Sequence, residues 1–281
     1  MAVPPLVALH TAGFDIQRVI TRPPARRGRR SEPTPSPVHQ AALQLGLDVG
    51  HDPAELADSA ESEGPSVGVV VAYGAMIRRP VLEVLPMVNL HFSLLPRWRG
   101  AAPVERALLA GDRETGVCVM TVAEGLDTGD IHSLARVPIG SRMTSDELAR
   151  ELVEVGTELL VSSLGEGLGP GTAQRGEPTY AEKLSSAEME IRWSDDVEAI
   201  DRLVRLGRAW TTIGGRRLKV LSARPADEAS GGVPGAVARS IVTCGWGALE
   251  LERVQPEGKP AMDAEVWLNG ARLDEEAVLG S

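Results

Sequence analysis

Apolar and polar positions along this chain follow two textures, one before about residue 165 and one after it. Residues 4–12 carry helical spacing, and FDIQRVIT (14–21) alternates like a strand. TRPPARRGRRSEPTPSP then reads as a long loop because of its five prolines and unbroken polarity. Ser36 and Pro37 suit the cap and first turn of a helix. Residues 67–72 form a valine-rich run of the kind that is buried on both faces of a parallel sheet. Strands are predicted at 87–91 and 117–122 with a helix at 101–109 between them. Strands separated by helices in this rhythm predict an α/β domain with a largely parallel sheet. Thr144 and Glu147 make a capping box for a helix that runs to about residue 164.

Beyond that helix the segment 165–188 is glycine-rich and polar, as an interdomain connection is. Ser194 is predicted to cap a short helix with Val197, Ile200, Leu203 and Val204 on one stripe. RRLKVLSA, GAVARSIVT and GALELERV follow as short strands parted by turn residues, which predicts a small β-barrel. The expected organisation is an α/β domain at 1–172, a linker at 173–190 and a barrel at 191–281. A length of 281 residues suits two domains of roughly 100 to 200 residues each.

Composition sharpens this picture in three places. Two cysteines, Cys118 and Cys244, are too few for a disulfide framework and show no ligand spacing for zinc. The longest apolar run, 67–77, is short of the ~20 residues that span a bilayer, so a cytoplasmic protein without a membrane contact is expected. The net charge of −10 argues against general nucleic-acid coating. Residues 16–30 nevertheless hold six arginines and no acid, which marks a specific polyanion contact as readily as a solvated loop.

Candidate chemistry concentrates in VNLHFSLLPRWRGAAPVERALLAGD and the later EGLDTGDI. Residues two apart on a strand share a face, so Asn89 and His91 point together. They stand at the end of a strand, where open α/β sheets bind ligands. Asp127, in a turn flanked by Gly125 and Gly129, is placed to reach the same crevice. The three would supply an oxyanion donor, a proton-transfer group and a carboxylate that orients it.

NLHFSLLPRWRGAAP followed by GLDTGD resembles the signature of the folate-dependent formyltransferases, and TPSPV, VVVAYG, TYAEKLS, QPEGKPAM and WLNGAR extend the likeness in order along the chain. The resemblance implies a Rossmann-like domain followed by an OB-like barrel. It implies transfer of the formyl group of 10-formyltetrahydrofolate to the amino group of methionyl initiator tRNA, by a monomer and without a metal. In that family Asn89, His91 and Asp127 would be the catalytic trio, and Ser93, Leu94, Leu95 and Pro96 would meet the folate through apolar side chains and free backbone groups. Arg27, Arg29 and Arg30 would enter the acceptor end of the tRNA. Arg205, Arg208, Arg216, Arg217 and Lys219 would add to the tRNA groove from the barrel.

Three features depart from that family: Phe92 stands where a small residue is usual, GRAW replaces an Asn-Pro-Trp-Pro piece, and the hydrophobic first strand with its Gly-Thr-Pro turn is expected upstream of Met1. A formyltransferase for a small amine, such as glycinamide ribonucleotide or an amino sugar nucleotide, would share the trio. A non-catalytic RNA-binding relative lacking the first strand is the alternative from another class.

Overall fold

The computed structural model describes residues 1–26, 32–56, 67–226, 232–271 and 277–281. Its contacts divide the chain into two units. The first comprises Met1–Val104, Glu114–Pro138 and Ala149–Glu182, and the second Glu105–Arg113, Ile139–Leu148 and Lys183–Ser281.

The first unit begins with helix α1 (Val3–Thr11) and the two-residue strand β1 (Val19–Ile20). Among the described residues only the end of the predicted strand 14–21 is paired, because its partner β2 (Val49–Gly50) offers just two residues in parallel register. Helix α2 (Pro37–Gln44) starts where predicted: Ser36 Oγ accepts from the His39 amide at 3.1 Å, and proline occupies the first turn. Strand β3 (Gly68–Val71) is half-buried throughout, not buried on both faces, since it is an edge of the described four-stranded sheet and pairs only with β4 (Met87–His91). Helix α3 (Arg79–Val84) connects the two, and Val81, Leu85 and Met87 close a small core beneath them.

After β4 come the short strand β5 (Arg99–Gly100), helix α4 (Pro103–Ala110), and the strands β6 (Glu114–Thr121) and β7 (Ile131–Pro138). The sheet order is β3-β4-β6-β7. Pairing is parallel at β3–β4 but antiparallel at β4–β6 and β6–β7, so more of the sheet is antiparallel than the alternation of elements predicted. For β6–β7 the physical reason is the connection at 122–130, which is too short for the crossover that parallel neighbours require.

Helix α5 (Ser145–Gly165) opens with the predicted box: Thr144 N donates to Glu147 Oε2 at 2.9 Å, and Glu147 N to Thr144 Oγ1 at 3.3 Å. Its Gly156 lets the helix approach β4 and β6, with Leu90 and Val117 atoms 3.3–3.4 Å from where a Cβ would stand. On the neighbouring strand Gly116 has even less room. A Cβ there would overlap the Ala135 carbonyl oxygen and lie 2.5 Å from Leu94 Cδ2. Gly116→Ala is therefore expected to destabilise the protein by about 2 kcal/mol or more. A melting temperature equal to the parent's would refute the steric argument.

The second unit is built on an antiparallel sheet. Its strands are β9 (Trp210–Ile213), β10 (Arg216–Pro225), β11 (Val237–Ala238), β12 (Ile241–Thr243), β13 (Ala248–Pro256) and β14 (Met262–Asp263). Among the described residues they pair as β11-β12-β13-β10-β9, with β14 on β13, and the path does not close on itself. The helices α6 (Val197–Val204) and α7 (Ala264–Ala271) cover its apolar face, burying Ile200, Val204, Ala264 and Trp267 with Leu218, Val220 and Leu249. Asp196 caps α6 in place of the predicted Ser194: its Oδ1 accepts from Glu198 N at 2.8 Å. No helix among the described residues is long and apolar enough to cross a membrane.

Each unit carries one cysteine, Cys118 in the first and Cys244 in the second, and both are buried. Burial pushes each thiol up to about 11.

Candidate active site

The carboxyl end of β4 positions the first two candidate residues. Alternation sets the partly exposed Asn89 and the buried His91 on one face, while Phe92 is buried. The bulkier residue at 92 is thus accommodated inside the unit.

His91 is held at both ring nitrogens. Nε2 lies 3.0 Å from the Trp98 carbonyl oxygen, which only accepts, so Nε2 carries the hydrogen. Nδ1 then keeps its lone pair and faces Asp127 Oδ2 at 3.6 Å. Burial lowers the imidazole pKa, against the opposing pull of the Asp127 carboxylate and the Trp98 carbonyl. The ring is therefore neutral near pH 7, with a basic nitrogen open to take a proton and a carboxylate beside the charge that would result.

The Trp98 carbonyl is presented by an unusual stretch of backbone. Leu95–Pro96 is a cis peptide, and Trp98 has a left-handed φ of 62°. Ser93 Oγ donates to the Arg97 carbonyl at 2.6 Å, and Trp98 N donates to Thr179 Oγ1 at 2.9 Å. β5 then pairs in parallel with β8 (Tyr180–Ala181), so the TYA of the TYAEKLS segment braces the loop after β4.

In the SLLP loop itself, Leu95 is buried with Cys118, Met120 and Ile131, and Leu94 and Pro96 are partly exposed. Three of the backbone groups expected to be free are engaged. The carbonyls of Ser93, Leu94 and Pro96 already accept from Cys118 Sγ, Arg97 N and Thr179 N, at 3.1, 3.1 and 3.2 Å. One of these donors is local to the turn and two come from distant segments.

Asp127 sits in the 122–130 connection with a left-handed φ of 50°. Its carboxylate accepts from Gly100 N at 2.8 Å. Gly129 stands so close to the Thr121 carbonyl that no side chain fits. Asn89, His91 and Asp127 thus belong to one unit, and the contact at 3.6 Å joins the last two.

Sequence reasoning missed two side chains here. Gln174 Nε2 donates to the carbonyls of Asp127 and Gly129 at 2.8 and 2.9 Å. Arg99 donates to Gln174 Oε1 through Nε and Nη2, at 3.1 and 2.6 Å. Gln174 lies in the linker-like texture of GTAQRGEP, which carries no signal, and Arg99, the arginine of WRG, stands inside the signature segment but at no spacing that marks its role.

Of the arginine-rich loop only the base is described. Ala25 and Thr34 exchange backbone hydrogen bonds at 3.2 and 3.0 Å, and the Thr21 and Ser36 hydroxyls bond at 3.0 Å. Arg27, Arg29 and Arg30 lie outside the described residues.

The second-unit cations are less uniform than expected. Arg205 is not a surface group: its side chain is 11% exposed, its Nε lies 3.0 Å from Asp201 Oδ2, and its Nη1 donates to the Met143 carbonyl at 3.1 Å. Asp201, itself buried, also accepts from Arg142 at 2.5 Å. Arg217 stacks 3.8 Å above the Trp210 ring, Arg208 lies 3.6 Å from Glu105, and Arg216 and Lys219 are exposed.

Among the described residues no group of histidine, cysteine or acidic side chains is arranged to hold a metal ion. The formyl transferase family matches residues 6–164, and the formyl transferase C-terminal domain matches residues 183–272. The chain is 41% identical to the methionyl-tRNA formyltransferase of Ruegeria pomeroyi, over 96% of this chain and 93% of that protein. It is 42% identical to the methionyl-tRNA formyltransferase of Paracoccus denitrificans, over 97% and 95% respectively. The N-formyltransferase of Helicobacter canadensis, solved with folinic acid and dTDP-3-aminofucose, shares the fold with a TM-score of 0.68 at 17% identity. That likeness covers 89% of this chain and 95% of the other.

Proposed function

The chain belongs to the methionyl-tRNA formyltransferase family, and on that premise we propose that it carries the formyl group of 10-formyltetrahydrofolate to the amino group of methionyl initiator tRNA. The observation that carries the mechanism is His91, neutral, with its Nδ1 lone pair beside Asp127 and its Nε2 hydrogen on the Trp98 carbonyl.

The reaction forms one C–N bond and breaks another. As the neutral amine attacks the formyl carbon, negative charge grows on the formyl oxygen, and the Asn89 amide is available to donate to it. The attacking nitrogen must shed a proton, which His91 Nδ1 accepts. The resulting imidazolium lies between a carbonyl oxygen at 3.0 Å and a carboxylate at 3.6 Å, each of which favours the charge. His91 then returns the proton to N10 of the folate, which departs as an amine. The ring ends the cycle as it began.

We assign the folate to the loop of Ser93, Leu94, Leu95 and Pro96, where the partly exposed Leu94 and Pro96 side chains offer an apolar surface that suits a flat pterin. We assign Arg27, Arg29 and Arg30 to the acceptor end of the tRNA, since guanidinium groups pair with phosphates bidentately.

Single-turnover assays with formylfolate and alternative acceptors test the function. Charged initiator tRNA is expected to be formylated, with glycinamide ribonucleotide and an amino sugar nucleotide inert; formylation of a small amine alone would reverse the reading. Arg27→Ala is expected to weaken use of charged tRNA and to leave folate affinity intact. Because phosphate contacts release counterions, raising salt should weaken the parent in the same way. A salt-insensitive parent, matched by its variant, would leave the segment as solvated surface.

A further inference from the structure

Asp127 occupies a backbone conformation that is unfavourable for a residue with a side chain, and something must hold it there. Left-handed φ values are uncommon for residues with a side chain, and although aspartate is among those that adopt them most readily, such a conformation is kept in place by its surroundings. The connection that carries it is open to solvent: Leu126, its neighbour, is 54% exposed. The β6–β7 ladder resumes only at Ile131.

The holding contacts come from a glutamine 47 residues downstream. Gln174 Nε2 donates to the Asp127 carbonyl and to the Gly129 carbonyl, bridging both sides of the turn. Its orientation is fixed, because two N–H groups of Arg99 meet Oε1 and would clash with an amide turned the other way. Arg99 is in turn tied by its backbone to Thr179 and Tyr180. The next residue, Gly100, gives its N–H to the Asp127 carboxylate. One short strand therefore grips Asp127 twice, at the carboxylate directly and at the backbone through Gln174.

We infer that Gln174 is a positioning residue for formyl transfer, locking the Asp127 turn so that its carboxylate stays beside His91 Nδ1. This rests on the reading in which Asp127 steadies the charged form of His91. Without the clamp the turn relaxes toward ordinary φ values and the carboxylate leaves its place. The contact acts on the Asp127 turn that faces His91, so the loss is expected in turnover.

The test uses the full chain with Gln174→Met and Gln174→Glu, each made alone and in an Asp127→Asn background. Methionine keeps the length and removes every donor. Glutamate keeps a partner for Arg99, and so the fold, while turning an acceptor toward the two carbonyls. In the parent background kcat is expected to fall about tenfold or more, as misplacement of a reacting group does, with KM for the formyl donor and for charged tRNA within about threefold. In the Asp127→Asn background the same substitutions are expected to change kcat by less than about twofold, since the groups act as one unit.

Parental kcat in both single variants would overturn the inference. An equal fold-loss in both backgrounds would overturn it too, because it would mean a structural role only. If Asp127→Asn itself turns over like the parent, the reading of Asp127 falls first and the clamp with it. The first two results leave that reading standing, so the two failures are told apart.

Discussion

Replacing His91 with alanine is expected to lower turnover by about 10²-fold or more while folate affinity changes far less, because the proton-accepting nitrogen acts in the transition state. The magnitude follows from what is lost together: the base for the amine, the acid for N10, and the charge that Asp127 and the Trp98 carbonyl are placed to stabilise. Asn89→Ala is expected to cost a similar factor by removing a donor to the formyl oxygen, again at about 10²-fold. Stopped-flow measurement of the chemical step, with folate binding followed separately by fluorescence, resolves the two effects. Unchanged turnover in either variant would dismiss its role, and a parallel loss of folate affinity would move it to ground-state binding.

Removing the Asp201 carboxylate is expected to produce the largest loss of stability. Asp201 is buried and answers two cations, Arg142 at 2.5 Å and Arg205 at 3.0 Å. The two partners are not equivalent. Arg142 is 49% exposed and can return to water, whereas Arg205 is 11% exposed. Burial already lowers the Arg205 pKa against the pull of Asp201. Asp201→Ala strands that guanidinium, and breaking a buried pair from one side costs about 3 kcal/mol or more. Arg142→Ala breaks a half-exposed pair and the hydrogen bond from Nη2 to the Ala223 carbonyl at 2.6 Å, but leaves Arg205 beside Asp201, and should cost about 1 kcal/mol. Thermal melting checks the pair: a drop of roughly 10 °C is expected for the first variant and a few degrees for the second. Equal losses would mean that burial of Arg205 does not set the energetics.

The same arginine shows where sequence reading stops. VRLGRAW and RRLK display basic residues with no sign of which ones face solvent. Arg205 follows a helix whose stripe is correctly read, but its partner Asp201 comes from the preceding turn and its backbone contact, Met143, from 62 residues away. What the sequence made legible is local. β4 was bounded correctly because Asn89 and His91 alternate with apolar residues before a loop of proline and glycine, and the Thr144–Glu147 box is a four-residue signal. The edge character of β3 and the antiparallel run of β6 and β7 depend on neighbours that no short window contains. Gln174 was invisible for the same reason. A glutamine in a glycine-rich stretch has no periodicity, and its meaning lies in two carbonyls 45 and 47 residues earlier.

The two cysteines give this enzyme a built-in chronometer. Thiol reagents attack the thiolate, and both Cys118 and Cys244 are closed off from solvent with thiols pushed up to about 11. Neither reacts until its surroundings open. Since one belongs to each unit, the rates at which an alkylating reagent consumes them record the opening of each unit independently, in a single sample and without any introduced probe.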